Sequence, residues 1–521
     1  AALAGGLSGL VLLADPRWVI PCVGLTIAYG GRALSHSHAP RRYHVGHLAA
    51  AGAVAAAFAG GISAVLALPL AEFVPLTTRA ALTAAERASL SLPSARLLGL
   101  LYPDLGGWPE WMAYISTVAM MLAALAVLLR APGRLFWSLT ALAGWLLALG
   151  AATPLYPIIG AVLPTIRVPP RFLLLSAIAV CSLAGWGLQR LLDSLGGRTL
   201  LPRARLVLSG FAAGIVVLAA GFAVVTGEVP PGLVGTAILA VTAATWGIWS
   251  MLRALPPGTM AAGWILLAVL DTAWVDQSLL GVRPLSESLN ERAAVIEALR
   301  TGFGGRRVFS PSYSLPQQST LLARVELADG VNPLQLAAYV EFMAQTVGFS
   351  NEGYSVTLPP FPDGDPRPDW SPQIDVDRLG LLDVGYVVSE YALQSPGLVL
   401  EGQIDGVYVY SNPSARPRAW VQGSGGEWWP VESLEWSPNR IGMQATGPGR
   451  LVLSEVAYPG WQARVDGELI DVDVCSGVLR CLLLPEGTHR VVFEFRPRTV
   501  YAGLALTALS VALMALLWRR R

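Results

Sequence analysis

The chain has 521 residues, 54% of them hydrophobic and only 14% charged, with a mean hydropathy of +0.53. This balance excludes an ordinary soluble domain and fits a membrane protein. A formal net charge of +1 argues against nucleic acid as a partner, and all basic residues are Arg, a bias that carries no mechanism.

Ala1 already lies in an apolar run, with no initiator Met and no signal-peptide pattern, so a further N-terminal segment is expected to precede it. Apolar runs predict helices over 1–14, 17–34, 47–71, 111–130, 134–152, 170–192, 204–226, 231–254 and 259–280. A polar stretch follows, and the apolar run Tyr501 to Trp518 then closes on Arg519, Arg520 and Arg521. Such a run reads as a transmembrane helix ending in the cytoplasm, which places 282–498 outside. Counting back, the cytoplasmic loops hold Arg32, Arg41 and Arg42; Arg130 and Arg134; Arg190, Arg198, Arg203 and Arg205; and Arg253. The opposite loops, 72–110 and 153–170, are longer and carry Glu72, Glu86, Asp104 and Glu110.

Within the polar stretch, Asn290 to Leu299 and Leu334 to Met343 have helical spacing, whereas Arg307 to Ser310 is strand-like. From about 416 onward short strands alternate with turns, and Asp466-Gly467 and Glu486-Gly487 read as hairpin turns, which predicts a β-sandwich. The expected fold class is a multipass α-helical membrane protein of about ten transmembrane helices with an extracytoplasmic α/β plus β-sandwich module. Its segments are a transmembrane helical domain over 1–280, an α/β domain over 281–415, a β-sandwich over 416–498 and a C-terminal transmembrane helix over 499–521.

Several segments resemble the YfhO family of bacterial multipass membrane proteins. They are Val407-Tyr-Val-Tyr-Ser-Asn-Pro-Ser-Ala-Arg-Pro-Arg-Ala-Trp420, Tyr458-Pro-Gly-Trp-Gln-Ala-Arg-Val-Asp-Gly467 and Leu484-Pro-Glu-Gly-Thr-His489. Upstream, Leu101-Tyr-Pro-Asp-Leu-Gly106, Arg167-Val-Pro-Pro-Arg171, Leu183-Ala-Gly-Trp-Gly187 and Gly330-Val-Asn-Pro-Leu-Gln-Leu336 extend the likeness over nearly the whole chain. That family is similar to the GT-C glycosyltransferases. The resemblance implies a GT-C-like fold in the bacterial cytoplasmic membrane, a polyprenyl-phosphate sugar donor and a cell-envelope polymer as acceptor. It also implies that the first large outer loop, where GT-C enzymes keep their catalytic acid, precedes Ala1.

Transfer from a lipid-phosphate sugar needs a carboxylate to activate the acceptor hydroxyl, cationic groups or a divalent metal to hold the phosphate, and a groove open to the bilayer. The candidate carboxylates are Glu72, Asp104 and Asp271. Glu72 and Asp104 flank the long outer loop and read either as site residues or as interfacial acids solvating helix ends. Asp271 lies in the apolar run 265–275, where an acid costs about 2.5–3.5 kcal/mol on insertion scales; it faces protein, or reaches water beside Asp276. Arg167 and Arg171 flank Pro169-Pro170 before an outer helix start and form the candidate phosphate pair, with lipid-headgroup anchoring as the alternative.

His36, His38, His44 and His47 crowd one loop, but their spacing matches no closed tetrahedral site, so a polar loop near anionic lipid is the simpler reading. Asp363, Asp365 and Asp369 hint at calcium without the full EF-hand pattern. No metal ligands are assigned, and metal dependence stays open. Cys475 and Cys481 flank five residues in an oxidising compartment and are candidates for a hairpin disulfide, while Trp428, Trp429, Trp436 and Trp461, with Trp461 and Trp429 foremost, are candidates for stacking on sugar rings or for core packing. Two functions survive: a polyprenyl-phosphate-dependent glycosyltransferase, and a non-catalytic scaffold or carbohydrate-binding component of envelope assembly. A transporter is weaker, since no internal repeat or pair of broken helices is evident.

Overall fold

A computed structural model describes residues 1–35, 41–103, 108–154, 156, 158, 167–194, 201–302, 305–330, 332, 334–348 and 373–519. Asp104, His36, His38, Asp363, Asp365 and Asp369 lie outside these residues. Each of the ten apolar segments contains a helix: α1 (Ala2–Ala14), α2 (Val19–Ser35), α3 (Arg41–Phe73), α4 (Thr117–Leu128), α5 (Arg134–Ala148), α6 (Leu173–Ser194), α7 (Leu201–Thr226), α8 (Pro231–Leu252), α9 (Pro257–Leu279) and α10 (Arg498–Arg519). Six of them, α3 and α6 to α10, are long and apolar enough to cross a membrane. The chain is therefore a multipass helical membrane protein, with six candidate spans among the described residues where ten were expected. The difference is one of length: α4 has 12 residues and α5 has 15, about 18 and 22 Å against the ~30 Å of a hydrocarbon core.

The chain forms two compact units, 82–282 and 1–81 with 283–521. In the first, α8 and α9 each start on a proline, whose fixed φ and missing N–H suit a first helical turn. Met121, Leu125, Leu191, Leu208, Met260 and Trp264 are fully buried in the centre of this bundle. Outward residues such as Val217 and Val224 on α7 are exposed, which suits lipid as the solvent. Small residues allow close approach: a Cβ on Gly187 of α6 would strike the Leu122 carbonyl of α4. The predicted start at 111 is displaced to Thr117, because Ser116 caps α4 by accepting the Ala119 N–H at 3.1 Å and residues 112–116 lie outside any helix.

In the second unit α10 packs along α3. Thr507 Oγ1 bonds the carbonyls of Gly61 and Ile62 at 3.1 Å each and accepts the Val65 N–H at 3.2 Å. Gly503 lies against the Ala64 carbonyl, where a side chain would not fit. Only 6% of the α10 span is buried, so most of its apolar surface faces outward. By their contacts α1 to α3 group with α10 and the polar stretch.

The polar stretch holds two sheets. Strands β1 (Arg307–Phe309), β2 (Val384–Ser389), β3 (Val399–Ile404) and β4 (Val407–Ser411) form a sheet in the order β1-β2-β4-β3, with β1 and β2 parallel. Apolar residues cover both of its faces: Phe309, Met343 and Val387 in one cluster, Val295, Val308, Val388 and Val409 in another. The remaining strands are β5 (Ala419–Gln422), β6 (Trp428–Pro430), β7 (Ser433–Ser437), β8 (Arg440–Val456), β9 (Trp461–Val465), β10 (Glu468–Ile470), β11 (Asp473–Cys475) and β12 (Leu479–Phe495). They make one eight-stranded antiparallel sheet in the order β10-β9-β12-β8-β5-β6, with β11 on β12 and β7 on β8.

All eight strands are linked in one hydrogen-bonded sheet, and its two halves share a core in which Val421 and Leu482 pack with Met443 and Val491. The link is made by β8 and β12, 17 residues each, whose pairing runs past Gly447-Pro448-Gly449 and Pro485-Glu486-Gly487. Glu486-Gly487 is accordingly a bulge inside β12 rather than a hairpin turn, whereas Asp466-Gly467, both at positive φ, turns β9 into β10.

The two sheets share a core, since Phe309 and Tyr410 pack in one cluster with Trp420, Val452 and Leu479. An ion-pair network joins them as well. Arg307 contacts Glu326 at 3.1 Å and Glu455 at 2.7 Å, and Arg418 contacts the same two carboxylates at 2.9 and 2.6 Å.

Candidate functional site

In the 82–282 unit, the segments before α4 and before α6 pack on each other and gather arginines. Thr83 and Glu86 close a capping box, with Thr83 N donating to Glu86 Oε2 at 2.7 Å and Glu86 N donating to Thr83 Oγ1 at 3.2 Å. These Thr83 hydrogen bonds, then the charges of Arg167 and Arg87, hold the Glu86 carboxyl below its usual range. Tyr156 Oη donates to the Arg87 carbonyl at 2.6 Å, Trp111 Nε1 donates to the Leu90 carbonyl at 3.0 Å, and the Arg96 guanidinium lies 5.5 Å from the Trp111 ring centroid.

Arg167, only 8% exposed, donates from Nε to Ser89 Oγ at 2.9 Å. Val168 follows at φ +61°, and Pro169 and Pro170 are buried in the 3-10 turn that leads into α6 and carries the half-buried Arg171. The structure thus sets Arg167 and Arg171 at either side of the entrance to one membrane helix. A guanidinium so placed can grip a phosphate through paired hydrogen bonds. Ser89, Arg87 and Arg96 were not singled out from sequence, because their loop reads as an acidic outer loop and nothing local marks Ser89 as the partner of a residue 78 positions away.

Asp271 is fully buried. Its Oδ1 accepts from Tyr114 Oη, and its Oδ2 accepts from Ser116 Oγ at 2.7 Å and from the Val118 N–H at 3.1 Å. The carboxylate on α9 therefore caps the start of α4, satisfying a backbone donor that an α-helix leaves open. Asp271 faces protein rather than water.

Glu72, at the end of α3, accepts from Thr499 Oγ1 at 2.6 Å and so ties α3 to the first turn of α10. The adjacent Phe73 ring meets the Tyr458 ring edge-on at 5.9 Å. Asp271 and Glu72 belong to different units, and each is engaged locally.

Trp461 lies beneath the Arg480 guanidinium, 3.8 Å from its ring centroid, and packs on Phe495 at 5.3 Å. Trp429 donates from Nε1 to the Thr446 carbonyl at 2.9 Å and packs against the core of the eight-stranded sheet. Cys475 and Cys481 are joined by a disulfide between β11 and β12, with their Cα atoms 5.9 Å apart. Among the described residues no three His, Cys, Asp or Glu side chains converge to hold a metal.

No family model, curated protein or solved structure matches the chain. The likeness to the YfhO family therefore rests on the quoted segments alone.

Proposed function

We propose that the chain is a GT-C-like membrane protein of the YfhO type. It moves a sugar from a polyprenyl-phosphate donor to a cell-envelope polymer at the extracytoplasmic face of the bacterial cytoplasmic membrane. In this reading 281–498 lies outside and the C-terminus inside. Arg167 carries the reading: a nearly buried guanidinium at the start of a membrane helix, steadied by Ser89, with Arg171 one turn on and Arg87 acting with it on Glu86. The arginines hold the phosphate and stabilise its charge as the glycosyl bond breaks. Asp104 is the carboxylate assigned to accept the acceptor's hydroxyl proton, because Asp271 and Glu72 are occupied by structural hydrogen bonds.

The test is polyprenyl-phosphate binding by the full chain in neutral nanodiscs. Arg167→Gln is expected to weaken it about tenfold or more, and unchanged binding would remove the phosphate site. A second reading, a non-catalytic scaffold or carbohydrate-binding component, is favoured by that same engagement of Asp271 and Glu72. Phosphate binding without transfer under any donor would select it.

A further inference from the structure

The eight-stranded sheet carries a cleft of about 590 Å³, within the roughly 300–1,000 Å³ range of small-ligand sites. It is lined by Arg416, Trp420, Gln422, Arg450, Asp473 and the Cys475–Cys481 disulfide, among others. Arg416 and Arg450 have no carboxylate partner among the described residues. The Arg416 guanidinium lies 5.3 Å from the Trp420 ring centroid and 5.8 Å from that of Trp428, so it is held on two indole rings while its N–H groups stay available. Arg450 is exposed at the cleft, directly opposite Gln422 in the β5–β8 register. Asp473 is exposed on β11, which the disulfide pins to β12.

We infer that this cleft binds an anionic saccharide, a sugar bearing a carboxylate or a phosphate. Two guanidiniums without counter-ions call for an anion. The Gln422 amide and the Asp473 carboxylate supply the acceptors and donors that ring hydroxyls need, and the half-exposed Trp428, which lies outside the cleft lining but directly opposite Gln422 in the β5–β6 register, offers an apolar face to a ring at the cleft's edge. A lone lipid headgroup would use the arginines and leave Gln422, Asp473 and the indole idle. The cleft's preference for an anionic sugar does not depend on the transferase reading; only its role as holder of the acceptor polymer does. Binding measured without a donor keeps the two apart.

The experiment is calorimetric titration of the full chain in neutral nanodiscs with oligogalacturonate, with a phosphorylated manno-oligomer and with a neutral gluco-oligomer of matched length. A parallel arm uses phosphatidylglycerol vesicles. At least one anionic oligomer is expected to bind, the neutral one not. Arg450→Gln, at an exposed position that leaves the fold intact, is expected to weaken binding about tenfold or more, with Trp428→Ala giving a smaller loss. No binding of either anionic oligomer, equal binding of the neutral one, or binding unaffected by Arg450→Gln would overturn the inference. Capture by the vesicles alone, lost in Arg450→Gln, would also overturn it, in favour of a headgroup site.

Discussion

Asp271 is the residue whose chemistry is most visible in the sequence and whose purpose is least so. An acid inside an apolar run announces a constraint, but its partners Tyr114, Ser116 and Val118 lie more than 150 positions away and nothing in the pattern names them. Asp271→Ala would strand two hydroxyls and a helix N–H in the bundle, each worth about 1–3 kcal/mol when buried unpaired. Thermal unfolding in detergent should show a loss of about 2 kcal/mol or more, with Asp271→Asn milder; a free catalytic base would show no loss. Asp329 makes a second residue-scale test. Its Oδ1 accepts the Ser310 N–H at 2.9 Å, while its Oδ2 is buried with no hydrogen-bond partner among the described residues. Burial pushes this carboxyl up to about 7 from the usual 3.8. The folded chain therefore holds the proton more tightly than the unfolded one. The associated stability is full below about pH 4 and lost as pH rises through about 7. Burial moves Asp383 in the same direction, to about 6, so only the comparison with a variant isolates Asp329. Asp329→Asn should gain on the wild type between pH 5 and pH 8, read as the difference of their unfolding temperatures. A pH-independent difference would contradict this assignment.

Helices were legible because long apolar runs are hard to mistake, and all ten segments contain one; their lengths were not, because end-capping rather than hydrophobicity decides where α4 begins. The sheet shows the converse. Gly447-Pro448-Gly449 and Pro485-Glu486-Gly487 look like chain breaks, yet the register sets Gly447 opposite Gly487 and Gly449 opposite Leu484. The two interruptions coincide, so both strands pass through the irregularity together and one sheet results. Between β11 and β12 the disulfide closes a loop of sequence separation six. Loop-closure entropy for so short a loop gives about 2 kcal/mol. Cys475→Ser should lower the unfolding free energy of the full chain by that amount, measured by denaturant titration under oxidising conditions. No change would mean that the β11–β12 pairing alone fixes this edge.

At the scale of the whole molecule the chain builds two units, and the sequence did not reveal that α1 to α3 group with α10 and the sheets rather than with the remaining helices. That grouping depends on close glycine contacts along α3 and α10 and on the Glu72–Thr499 bond, neither of which leaves a periodic signal. Of the proposed phosphate site, Arg167 and Arg171 stand out in the sequence beside their prolines, while Ser89 and the packing that buries Arg167 do not. The central claim is that this arginine-bearing helix entrance serves transfer of a lipid-linked sugar. Its most direct test is transfer of radiolabelled sugar from a panel of polyprenyl-phosphate donors by the full chain in membranes, compared with Arg167→Ala and Arg171→Ala at matched expression. The account predicts transfer by the wild type that falls about 100-fold or more in Arg167→Ala, the order seen when a transition-state donor is removed. Transfer unaffected by either substitution, or none from any donor by a folded protein, would contradict it.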